Sequence, residues 1–251
     1  MSRHDEILTE LGLAPTWQRR ARPGFDCGPD ALVAPVTALP AAPGVAASAS
    51  PEARVVRIAA LEWRDFAADV DACVACGLSR TRKKTVPGVG DTRAEWLFVG
   101  EAPGAEEDAK GEPFVGQAGR LLDNMLAALG MNRGRSVYIA NVLKCRPPGN
   151  RTPEPGEVDA CRPYLDRQIA LIEPKVIVAL GKSAATTLLG IDATIASLRG
   201  RVHGYGGLPL VVTYHPAYLL RNLPDKAKAW EDLLLARRTL RGVPSSAPGE
   251  P

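Results

Sequence analysis

Four short apolar runs set the limits on what this chain can fold into: Trp96-Leu97-Phe98-Val99-Gly100, Val137-Tyr138-Ile139-Ala140-Asn141, Lys175-Val176-Ile177-Val178-Ala179-Leu180 and Leu210-Val211-Val212-Thr213-Tyr214. None alternates apolar with polar residues as a half-exposed strand would, so each is expected to be buried on both faces. Segments of helical pattern separate them, near residues 117–129, 155–172, 183–189 and 226–241. This alternation predicts an α/β fold of three layers, α/β/α, around a central four-stranded, mainly parallel sheet. In such sheets ligands sit beyond the carboxyl ends of the strands, so the residues that follow each run carry the chemical information.

The flanks read differently. Residues 1–26 form an N-terminal helical extension, with apolar Ile7, Leu8, Leu11 and Leu13 followed by the basic run Arg19-Arg20-Ala21-Arg22. Residues 27–54 are rich in Ala and Pro and have linker composition, expected to be disordered because they offer little apolar surface against their ordering entropy. Residues 55–242 are the main domain and 243–251 a disordered tail. With 251 residues, 45% of them hydrophobic, the chain has material for one sizeable core. Its formal net charge of only +3 means that any nucleic-acid surface must be a local patch, such as Arg80-Thr81-Arg82-Lys83-Lys84. No apolar run is long enough to span a bilayer, and the start of the chain lacks a secretory pattern. A cytoplasmic location without membrane contact is expected, where cysteines stay reduced.

Of the five cysteines, Cys73 and Cys76 form a C-x-x-C pair at the end of a helical segment. Cys145 follows the second apolar run, Cys161 lies on the next helix, and Cys27 sits alone in the linker. A thioredoxin-like pair would stand near the start of a βαβ unit, whereas this one precedes the first strand. Zinc ribbons use two close pairs, and the second pair here is widely spaced. Four thiolates also suit an iron–sulfur cluster. Spacing alone leaves zinc and the cluster evenly balanced.

After the first run comes Gly100-Glu101-Ala102-Pro103-Gly104, then Glu106-Glu107-Asp108 and Pro113-Phe114-Val115-Gly116. Glycines here allow backbone to approach a ligand closely. Glu106 and Asp108 read best as a solvated helix start, and Phe114 as either core or a stacking surface for a base. Asn141 offers a donor and an acceptor together at a strand end, suited to a Watson–Crick edge or to an ordinary turn. His215 ends the fourth run at the same sheet edge. Gly181-Lys182-Ser183 looks like the end of a P-loop, but Val176 stands where the earlier Gly belongs, so a nucleotide triphosphatase is rejected.

Taken together these strings resemble the family 4 uracil-DNA glycosylases, the iron–sulfur branch of that superfamily. The matching text is Gly100–Gly104, Gly111–Gly116, Tyr138–Asn141, Lys144–Pro148, Cys161–Pro163 and His215–Ala217, in order, together with the pair at Cys73. The resemblance implies a monofunctional enzyme that flips uracil out of single- or double-stranded DNA and hydrolyses its glycosidic bond. It implies a 4Fe–4S cluster on Cys73, Cys76, Cys145 and Cys161. Substrate would be held by Gly100, Glu101, Ala102, Phe114, Asn141 and His215, with His215, Glu107 and Glu101 as the catalytic groups. DNA contacts would come from Arg146, Arg151, Tyr218, Leu219 and Arg221, with Leu219 or Leu220 as the wedge. Relatives that trap uracil covalently carry a reactive His beyond the second strand, and Pro147–Arg151 contains none. A monomer is expected, with the N-terminal helix as the place where a repair or replication protein would dock.

Overall fold

The computed structural model describes residues 50–242, and all four apolar runs are strands in it. The strands are β1 (Val89–Gly90), β2 (Trp96–Gly100), β3 (Val137–Asn141), β4 (Val176–Leu180), β5 (Val202–Tyr205) and β6 (Leu208–Thr213). They form one sheet in the order β1-β3-β2-β4-β6-β5. The middle four are parallel, and β1 and β5 close the edges antiparallel. The sheet therefore has six strands rather than the four expected. β1 is only two residues long, too short for any periodicity to show. β5 reads Val-His-Gly-Tyr, and it pairs with β6 across Gly206-Gly207, both at positive φ, a two-residue hairpin turn.

Side chains alternate across the strands, so consecutive residues of each buried run feed two different cores. On one face Leu97, Val99, Ala140, Ile177, Ala179 and Val212 pack under α5 (Pro155–Ile172) and α6 (Lys182–Leu189). On the other, Phe98, Ile139, Val178 and Val211 meet Leu122 and Leu126 of α4 (Gln117–Ala128) and Leu233 of α9 (Asp225–Gly242). The three-layer expectation holds on these contacts. A smaller cluster joins Ile58 of α1 (Pro51–Ala59) and Phe66 and Val70 of α2 (Trp63–Ala72) to Tyr164 of α5.

Helix α1 starts inside the stretch that composition assigns to the linker. Ser50 caps it by accepting a hydrogen bond from the Ala53 amide at 3.2 Å, and Pro51 occupies the first turn. The expected N-terminal helix, Cys27, most of the linker and the tail lie outside the described residues. No helix among the described residues is long and apolar enough to cross a membrane.

Between β2 and α4, the short α3 (Ala105–Lys110) leads into the loop carrying Phe114. Gly119 of α4 packs against that loop so closely that a β-carbon there would sit 1.7 Å from the Phe114 carbonyl oxygen. Gly119→Ala is therefore expected to lower stability by about 1–3 kcal/mol through overpacking. Gly156 in α5 faces open space, so Gly156→Ala serves as the control and should be neutral or mildly stabilising. Urea unfolding of the two variants against the parent chain reads the difference.

Candidate active site

The carboxyl ends of β2, β3 and β6 deliver Glu101, Asn141 and His215 to one cavity of about 500 Å³, whereas Gly100 is not among its lining residues. Gly100 and Asn141 are register partners on neighbouring parallel strands. A β-carbon on Gly100 would lie 2.4 Å from the Asn141 side-chain oxygen and 2.8 Å from the Phe114 ring. Only glycine lets those two side chains share the space. Gly181 does the same under His215, where a β-carbon would come within 2.9 Å of the histidine's own.

Phe114 holds a positive φ of 55°, an uncommon conformation for a bulky residue. Arg133 stabilises it. Its guanidinium donates to the Pro113 carbonyl at 2.7 Å and to the Phe114 carbonyl, while Asp123 accepts from its Nε at 2.6 Å. The Phe114 ring then lies 5.5 Å from the His215 ring, nearly parallel.

His215 caps the short helix α8 (Pro216–Leu219), and its Nδ1 accepts a hydrogen bond from the Ala217 amide at 3.1 Å. An accepting Nδ1 places the ring proton on Nε2. Burial, with the Arg221 charge, pushes the imidazole down to about 4 against the opposing Glu107 carboxylate. The ring is thus neutral at physiological pH and a fixed donor through Nε2. Asn141 is 2% exposed, and its carboxamide makes no hydrogen bond to another described residue.

Glu107 lines the cavity and also builds its walls. One carboxylate oxygen accepts from the Gly104 amide at 3.1 Å, the other from Val115 at 3.0 Å. Burial raises the Glu101 carboxyl, partly offset by the Ser183 hydroxyl. Ala102 lines the same cavity, as do Asn150 and Pro147.

A second, small cavity gathers Cys73, Cys76, Cys145 and Cys161. The end of α2, the loop after β3 and α5 supply these side chains, and none is in a disulfide. Cationic and amide donors surround the sulfurs. Arg82 reaches Cys145 at 3.1 Å, Arg54 reaches Cys73 at 3.4 Å, and the Lys144 amide reaches Cys161 at 3.3 Å. Among the described residues no three metal-ligating side chains converge on a single ion position.

The expected DNA-contacting residues divide. Arg221 is exposed and lines the first cavity, as does Arg151, which also grips Glu157 through two bonds of 2.9 and 2.6 Å. Arg146 donates to Asn150 at 2.7 Å. Tyr218 stacks on Tyr214 with ring centroids 5.0 Å apart and donates its hydroxyl to Asp225. Leu219 is a correction: at 1% exposure it packs with Tyr214 and Ala229 and is unavailable to a duplex, whereas Leu220 is 40% exposed. Asp108 is another, since it is buried rather than solvated and accepts from the Lys83 amide at 2.8 Å. Arg82 leaves the basic surface run altogether, turning inward to the Cys73 and Asp71 carbonyls. Arg133 was missed because its partners lie 19 and 20 residues away, a tertiary contact with no local pattern.

A family model described as the uracil DNA glycosylase superfamily matches residues 87–234, which include both the strand-end cavity and two of the four clustered cysteines. The chain belongs to the uracil DNA glycosylase superfamily, within its type-4 branch. It is 48% identical to a type-4 uracil-DNA glycosylase of Archaeoglobus fulgidus, over 62% of this chain and 82% of the relative. A type-4 uracil-DNA glycosylase of Thermotoga maritima is also 48% identical, over 63% of this chain and 83% of its own. A type-5 uracil-DNA glycosylase of Pyrobaculum aerophilum is 34% identical, over 54% and 67% respectively.

The Arg133 clamp has a measurable consequence. Arg133→Ala leaves two loop carbonyls without their donor, at an expected cost of about 1–3 kcal/mol. Amide hydrogen exchange should rise selectively at residues 112–116, and unchanged exchange there would show that the loop holds Phe114 without the arginine.

Proposed function

We propose that this protein removes uracil from DNA by hydrolysing the bond between the base and its deoxyribose, leaving an abasic site for base excision repair. The observation that carries the reading is the neutral His215, locked with Nε2–H outward beside Asn141 and Phe114 in one cavity. The similarity to type-4 uracil-DNA glycosylases supports it.

The target nucleotide must leave the base stack, which costs a few kcal/mol and is cheapest where pairing is weak or absent. Uracil then stacks on the Phe114 ring. The Asn141 carboxamide, with no hydrogen-bond partner among the described residues, meets the O4 and N3 edge with one donor and one acceptor. His215 donates from Nε2 toward O2, where negative charge grows as the uracil anion leaves. A preorganised donor of this kind contributes about 3–4 kcal/mol at the transition state. Because the imidazole starts neutral, it stabilises the anion without having to give up a proton. We place the attacking water beside Glu107, whose charge is already felt at His215, with Glu101 as the second carboxylate at the mouth. Arg146, Arg151, Tyr218 and Arg221 are the assigned DNA contacts, and exposed Leu220 replaces Leu219 as the wedge.

We assign the four cysteines to a 4Fe–4S cluster. Four thiols lining one small cavity suit such a group, which is held by cysteine thiolates. The ring of Arg82, Arg54 and Lys144 suits an anionic one. Such a cluster, when bound, supplies a covalent tie among four chain positions, and hydrolysis of a glycosidic bond transfers no electrons. Cys145→Ala is expected to lose most of its iron and inorganic sulfide and to express poorly in soluble form. A soluble variant with full iron content would remove Cys145 from the ligand set.

The central test incubates the purified protein with single- and double-stranded uracil DNA, followed by alkaline cleavage of abasic sites. Strand breaks at uracil are expected, and their absence overturns the reading. His215→Ala should slow single-turnover release by roughly 10²–10³-fold. Full activity in the His215→Ala, Asn141→Ala double variant would overturn the residue roles.

The histidine also fixes a pH profile. Its folded value of about 4 lies below the ordinary 6.5, so the cleavage step should stay flat between about pH 5 and 8 and fall only near pH 4. Over the window from 6.5 down to about 4 the unfolded chain takes up a proton that the folded one refuses, so stability declines as pH drops through it. A rate loss centred near 6.5 would mean that the imidazole is not held neutral.

A further inference from the structure

We propose that Lys83 and Lys84 form a phosphate-binding cleft for the DNA strand, one short helix away from the uracil pocket. The inference rests on the uracil-DNA reading and extends it to a surface outside the pocket.

The cleft, of about 600 Å³, is lined by Asp71, Arg82, Lys83, Lys84, Thr85 and Gly111, with Pro87 at its edge. Its two lysines are exposed, as are Arg80 just before them and Lys110 next to Gly111, and none of these four has an ion-pair partner among the described residues. The one acid in the cleft, Asp71, is engaged by the Thr85 hydroxyl. Uncompensated positive charge in a concave surface is what a phosphodiester strand requires.

The lysines are also held in place. Buried Asp108 accepts from both the Lys83 and Lys84 amides, at 2.8 and 3.5 Å. Just before them Arg82 is pinned to the Cys73 carbonyl at 2.9 Å. Gly111, at φ 84°, leaves room for the Lys84 stem, which a β-carbon there would touch at 3.4 Å.

Placement supplies the partner. Helix α3 is capped by Gly104, on the wall of the uracil pocket, and by Gly111, on the wall of the lysine cleft. Six helical residues rise about 9 Å, roughly three nucleotide steps at 3.4 Å each. A strand with its uracil in the pocket therefore has phosphates within reach of both lysines. Contacts of this kind read no sequence, and they hold the strand while one nucleotide is turned out.

The test is the salt dependence of binding to a fluorescent, uracil-free duplex, read by anisotropy. For Lys83→Ala, Lys84→Ala the slope of log K against log salt should become shallower by roughly 0.9 per lost contact, about 1.8 for the pair. The double Arg variant at the same positions should restore it. Lys175→Ala, which removes a lysine paired with Glu95 at the opposite ends of the strands, should leave the slope unchanged. An unchanged slope in the double Ala variant overturns the proposal, and so does an equal loss in the Lys175 control. Uracil release at saturating enzyme, read in the same series, should match the parent chain. Absence of release by the parent chain would sink the uracil reading instead, so the two failures are distinguishable.

Discussion

Gly100 ends the central parallel strand β2, and the lack of a side chain there is the constraint from which the pocket follows. Its neighbour across the register, Asn141, and the ring of Phe114 occupy the volume a β-carbon would need. That close approach places a carboxamide and an aromatic face within reach of one flat ligand. It also forces the chain after β2 to turn sharply, through α3 and into a loop where Phe114 takes a positive φ. Such a conformation persists only where its surroundings over-determine it. Here Arg133 holds the carbonyls from one side and Gly119 admits the backbone from the other.

Glu107 shows how one residue serves both fold and chemistry. Its carboxylate collects amides from Gly104, at the start of α3, and from Val115, just past Phe114. The loop is thereby closed into a ring whose interior is the pocket wall. A carboxylate held by backbone donors cannot swing away, so on the proposed reading its charge stays fixed beside the sugar that becomes electron-poor as the bond breaks. His215 works by the complementary arrangement, with the Ala217 amide fixing its tautomer and its burial keeping it neutral. On the proposed reading both kinds of stabilisation are built from backbone hydrogen bonds rather than from mobile side-chain pairs, in keeping with electrostatic preorganisation.

What the sequence revealed and what it hid follow from the range of the forces involved. Strands β2, β3, β4 and β6 were legible because burial on both faces writes an unbroken apolar run. β1 and β5 were not, because an edge strand of two or four residues needs only backbone pairing. Glu101, Asn141 and His215 were legible because strand ends are where a parallel sheet exposes its ligands. Leu219 and Leu220 could not be told apart, since adjacent residues on one turn differ only in which way the helix faces. Arg82 sits in a run of cations that composition assigns to the surface, and only the fold shows it turned toward sulfur.

Lys144 joins the two cavities into one unit. Its ammonium donates to the Asn141 carbonyl at 2.7 Å and to the Gln168 side chain, while its amide donates to the Cys161 sulfur. Burial brings the ammonium down to about 8, against the opposing influence of Cys161 and Cys145. A fully buried lysine without such partners would be neutralised or expelled. Burial pushes the free Cys161 thiol up to about 12, so its sulfur is anionic only as a ligand of the proposed cluster, and that charge would then favour the ammonium that steadies the backbone of Asn141. On this account the cysteines act on the pocket without touching the base. On the proposed reading they set the electrostatic ground on which Asn141 is held.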